Sequence, residues 1–148
     1  MAMTQVVPLK VLYERDETAW LDAMSALATS GRHAEMDFAN LSEYLADMAN
    51  RDRREVLSRL VVLLAHLLKW EYQPSLRSGS WRGTIREHRR ELRQLLESRT
   101  LRNHAEAVLP DAYAEARRQA SDETELDLSV FPVENPWVLD EAIGEKDA

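Results

Sequence analysis

Asn40, Glu43 and Asp47 are spaced i, i+3, i+7, which places all three on one stripe of a helix. A second stripe follows in Glu55, Arg59, His66 and Lys69-Trp70, at intervals of 4, 7, and 3 to 4 residues. On two neighbouring helices facing each other, these stripes would bring Glu43 and Asp47 to Arg59 and His66. A carboxylate–histidine cluster of that kind can hold a divalent metal, or pass a proton as acid and base. The same residues can instead form a buried polar network that fixes helix register, its charges paired because burying them alone is costly. The network is the favoured reading. A metal needs three or more converging ligands, and the Glu and His three apart that bundle metal sites use is absent from both segments. No metal or cofactor is therefore expected, and a metal-dependent enzyme using Glu43, Asp47 and His66 stands as an alternative.

A second lead is the stretch from Arg77 to Arg102, where all eight basic side chains are arginine. Arg82, Arg86, Arg89, Arg90 and Arg93 spread along a helix, with Trp70, Tyr72 and Trp81 close in sequence. Arginine beside aromatic rings suits phosphate and base recognition. Three facts oppose that use. Glu87, Glu91 and Glu97 pair with these arginines at helical spacing, residues 103–148 carry 12 carboxylates, and the whole chain has a net charge of -7. Trp81, Arg82, Arg86 and Arg89 are accordingly read as a candidate surface for a protein partner, with nucleic acid as the alternative.

The remaining reactive side chains group poorly. His33, His88 and His104 lie in polar surroundings on three different segments. The glycines stand at 31, 79, 83 and 144 and make no phosphate loop, and no G-x-S-x-G elbow is present. Ser80, before a helical stretch, reads as a cap. An enzyme has little to stand on. A non-enzymatic protein-interaction or regulatory module is what elimination leaves.

These residues need helices to position them. Ala, Leu, Glu and Arg dominate, and no stretch alternates apolar with polar over a strand's length, so the class is all-α. Five helices are expected. They run over 13–29, ended at Gly31; over 33–49; from a cap at Asn50 or Asp52 to about Tyr72; from Ser80 to about Ser98; and over about 101–120, with Pro110 kinking or splitting the last. Residues 60–68 are apolar nearly all round, which puts the third helix at the centre of the bundle. Beyond Asp122 the apolar residues are irregular around Pro132 and Pro136, as in an extended strap packed across the bundle. A flexible segment 1–10 and one helical domain 11–148 are expected, with the strap over about 122–148. The third helix can bury its apolar faces within one chain or share them with a second copy. The absence of cysteine, of a signal-peptide pattern in residues 1–10 and of any bilayer-length apolar run suits the cytoplasm.

The chain also resembles a bacterial family known as domain of unknown function 29. The likeness rests on Leu12-Tyr13-Glu14, Ala19-Trp20-Leu21, Asn40-Leu41, Glu43, Asp47-Met48, Arg54-Glu55 and Ser58-Arg59-Leu60. It continues through the run from Leu63 to Trp70, Tyr72-Gln73-Pro74, Ser80-Trp81, Thr84-Ile85-Arg86, Phe131-Pro132 and Pro136. Ala49 stands where that family commonly has glycine, Thr18 where it has an aromatic, and His88 where it has glutamine. The resemblance implies an all-helical fold and brings no activity, substrate or cofactor.

Overall fold

A computed structural model describes residues 7–144, and within them every regular element is helical. The elements are α1 (Leu9–Arg15), α2 (Glu17–Thr29), α3 (Phe38–Tyr72), α4 (Gly79–Leu95), α5 (Arg99–Thr124) and α6 (Leu139–Ile143), with 3-10 turns at 33–35, 74–76 and 128–130. The all-α expectation holds. None of these helices is long and apolar enough to cross a membrane. The backbone clusters into two units, 1–49 and 50–148, each described in turn. Of the flexible segment expected over 1–10, residues 1–6 lie outside the described residues, while Leu9 and Lys10 are already helical. Positions 145–148 of the expected strap also lie outside them.

In the first unit, the single helix expected over 13–29 is two. Asp16 leaves helical geometry (φ -151°, ψ 84°), and its carboxylate accepts the Ala19 N–H at 3.1 Å, so it caps α2 while ending α1. Gly31 adopts φ 73°, the left-handed turn glycine takes without steric cost. The Arg32 and Gly31 N–H groups can then return to the Leu27 and Ala28 carbonyls and close α2. Trp20 is fully buried, with Tyr13 4.6 Å and Tyr44 5.8 Å away between ring centroids. Its indole N–H donates to Asp37 at 3.2 Å. Asp37 in turn accepts the Asn40 side-chain amide at 2.7 Å and the Asn40 backbone N–H at 3.4 Å, capping α3.

From that cap α3 runs unbroken to Tyr72, where two helices were expected over 33–49 and from about 50 to 72. Asn50 and Asp52 are weak helix formers but not breakers, and neither proline nor glycine interrupts the segment. Ala49, at a position commonly glycine in the similar family, favours continuity by about 1 kcal/mol.

In the second unit, Val56, Leu60, Leu63, Leu64, Ala65, Leu67 and Leu68 of α3 are buried and form the core. Gln73-Pro74 stops α3. Ser78, rather than the expected Ser80, caps α4 by accepting the Trp81 N–H at 3.2 Å. Ile85, Leu92 and Leu96 add to the core from α4 and the residue that follows it. α5 contributes small side chains, Ala105, Ala112, Ala116 and Ala120, around Tyr113. It also runs through Pro110 without splitting.

The strap crosses this core in extended backbone. Phe131 is 1% exposed and meets the Tyr72 ring edge-on at 5.6 Å. The strap lacks ladder partners, so side chains take its carbonyls: Arg117 donates to Phe131 O at 3.1 Å and the Tyr113 hydroxyl to Pro132 O. It ends in α6, whose Leu139, Ala142 and Ile143 are buried.

If the strap is part of the core, Phe131→Ala should destabilise the chain by about 3–5 kcal/mol in urea unfolding. Val133→Ala, at a side chain 79% exposed, should stay within about 0.5 kcal/mol.

Candidate functional site

The two polar stripes belong to one helix, so they cannot face each other as expected. Asn40, Glu43 and Asp47 lie in the first unit. Asn40 is used by the Asp37 cap, and Glu43 and Asp47 are exposed. Burial raises the Tyr13 phenol above its ordinary value, and the charges of Glu43, Asp47, Glu17 and Asp37 push it the same way. Asp37 is held below the usual carboxylate range. Its burial pushes the other way, but hydrogen bonds from Asn40 and Trp20 outweigh it, with help from the Lys10 charge.

The second stripe does form a polar seam, and its partners come from α4 and α5. Glu55 pairs with Arg59 at 3.0 Å, and Arg59 donates to His88 Nδ1 at 3.4 Å. His66 Nδ1 donates to the Val62 carbonyl at 2.9 Å. Further along, the Lys69 ammonium is buried against the Glu123 carboxylate of α5 and lies 5.4 Å from the centre of the Trp81 ring of α4. Glu123 also accepts from Gln119 at 3.0 Å. Burial favours the neutral acid, yet the Lys69 and Gln119 hydrogen bonds hold Glu123 below its ordinary value. Among the described residues no three His, Asp or Glu side chains group as metal ligands would.

Both histidines of the seam are held below the ordinary imidazole value. For His66 the cause is burial, reinforced by Lys69 and opposed by the Val62 bond and Glu123. For His88 it is burial, then the Arg59 charge, with Glu87 and Glu91 opposing. A neutral His88 is also what lets its Nδ1 accept from Arg59. His88 and Glu123 were missed as members of this seam: His88 lies in a run of charged residues although Ile85 and Leu92 share its face of α4, and Glu123 falls beyond the end expected for α5.

The arginine-rich helix divides in two. Arg89 and Arg93 point inward to the end of α6, donating to Ala142 O at 2.9 Å, to Ile143 O at 2.9 Å and to Gly144 O at 3.4 Å. The last carbonyls of a helix lack intrahelical donors and carry its negative end, so two guanidinium groups suit that position. Arg89, expected on the partner surface, is thus committed within the fold, and Trp81 is partly covered by Lys69. Arg82, Arg86 and Arg90 are exposed at i, i+4, i+8, one face of α4. Arg82 sits over the Trp70 ring at 5.7 Å, which Arg77 also covers at 4.8 Å while donating to the Trp70 carbonyl. Arg90 pairs with Glu91 at 3.2 Å in solvent, and Arg86 has no hydrogen bond or ion pair among the described residues.

The chain belongs to the family described as Domain of unknown function DUF29, whose model matches residues 12–146 of 148. No curated protein and no solved structure matches it. Much of the motif that carried the resemblance (Lys69, Trp70, Tyr72, Trp81 and Phe131-Pro132) is the set of side chains tying α3, α4, α5 and the strap together.

The depressed histidines have a consequence in pH. Unfolded, each takes up a proton near pH 6.5, whereas the folded seam resists it, so stability is full above that value and falls as pH drops through the folded values. Urea unfolding at pH 7.5 and 5.5 should show lower stability at 5.5. The His66→Gln/His88→Gln chain should lose most of that difference, which lies above the range where Glu123 and Asp37 titrate.

Proposed function

We propose that this member of the family is a non-enzymatic protein-interaction module of the cytoplasm, and that it holds an acidic segment of a partner on the outer face of α4. The observation that carries this reading is the stripe of Arg82, Arg86 and Arg90, left exposed after Arg89 and Arg93 have been taken up by α6. Guanidinium groups match carboxylates in a forked geometry, and their weak hydration makes them good interface cations. Arg82 is held against Trp70, which limits its freedom before any partner arrives. Three cations one helical turn apart span about 12 Å, the length of a short run of acidic side chains.

A protein partner is preferred over nucleic acid on charge. Glu87 and Glu91 stand on the same helix, and the chain as a whole is acidic, with a sequence pI near 5.1. Duplex binding draws on many phosphate contacts, and a net charge of -7 repels the polyanion. An acidic protein segment needs only the local stripe.

The test is affinity capture by the tagged chain from its own cells, with and without nuclease, beside an Arg82→Glu/Arg86→Glu chain. A protein partner kept after nuclease, and recovered about tenfold less by the double variant, is the expected result. Recovery lost on nuclease treatment would make the partner nucleic acid. Recovery indifferent to the double variant would remove α4 from the interface.

A further inference from the structure

The groove between α5 and the strap is a separate surface of opposite charge, and it does not rest on the arginine reading. It has a volume of about 460 Å³, walled by Leu109, Pro110 and Tyr113 from α5 and by Val133, Trp137 and Val138 from the strap. Val133 is 79% and Val138 60% exposed, so apolar side chains stand in water along its edge. Small apolar patches on a protein surface are ordinary; a concave one is the shape that takes a ligand. The charged residues lining it are Glu106 and Glu134, both carboxylates.

Apolar walls call for a buried apolar side chain, and the two carboxylates call for a cation beside it.

We propose that the groove receives a basic segment of a partner protein, a bulky apolar side chain seating against Leu109, Val133 and Trp137 while a neighbouring lysine or arginine meets Glu106 and Glu134.

The experiment uses the full chain and three pools of fluorescein-labelled nine-residue peptides, read by fluorescence polarisation. One pool has Leu, Phe or Trp at the centre flanked by lysines. The second replaces the lysines with glutamates, and the third replaces the central residue with serine. The lysine–apolar pool should bind, and the other two should bind at least about tenfold more weakly. Val133→Asp and, independently, Glu134→Lys should each weaken the first pool by about tenfold, while Arg86→Glu leaves it unchanged. Both substitutions lie at exposed side chains, and a thermal melt checks each fold. Absence of binding, equal binding of the glutamate or serine pool, or binding unaffected by Val133→Asp and Glu134→Lys would overturn the proposal.

Discussion

Lys69 lies one turn from the end of α3, after Leu67 and Leu68, and is 6% exposed. A charge taken from water into such a place must be met by another charge and by polarisable groups, since its desolvation otherwise costs several kcal/mol. Glu123 supplies the charge from α5, and the Trp81 ring supplies its negative face from α4. One side chain thus sets the register of three helices. Its neighbours follow: Trp70 is held by Arg77 and Arg82, and Tyr72 meets Phe131, which seats the strap.

The arginines obey a second constraint, the satisfaction of backbone carbonyls where regular structure ends. Arg77 serves the carbonyl of Trp70 near the end of α3, Arg117 that of Phe131 in the strap, and Arg89 and Arg93 the end of α6. A five-residue helix has little stability of its own, and these contacts with its buried Leu139, Ala142 and Ile143 are what hold it. The basic excess of the middle of the chain is therefore largely structural. On α4 it leaves Arg82, Arg86 and Arg90 exposed along the outer face.

Much of this was legible in the sequence. Composition and 3.6-residue spacing gave the all-α class, the ends of α4 and α5 to within a few residues, and an irregular strap beyond them. The stripe of Glu55, Arg59, His66 and Lys69 was legible as a polar line on an apolar helix. Its partners were not, because His88 stands within a run of charged residues and Glu123 lies past the end expected for α5. Local competition explains the other differences. Asp16 gains more as a cap than within a helix, and Ser78 rather than Ser80 meets the Trp81 N–H. Asn50 and Asp52, capable of capping, lose to a helix already propagating through Ala49. Pro110 was expected to kink or split α5, and the helix runs past it without splitting.

The most direct test of the account is a double-mutant cycle on Lys69 and Glu123, read by chemical unfolding at neutral pH. Glu123→Ala should be the more damaging single change, because it strands a buried ammonium. Lys69→Met should cost less, since Glu123 is 41% exposed and can return to water. The pair should then couple by about 1–3 kcal/mol, the double variant losing that much less than the sum of the two single losses. Additive effects, with Lys69→Met the costlier, would show that the ammonium is not what the three helices are arranged around.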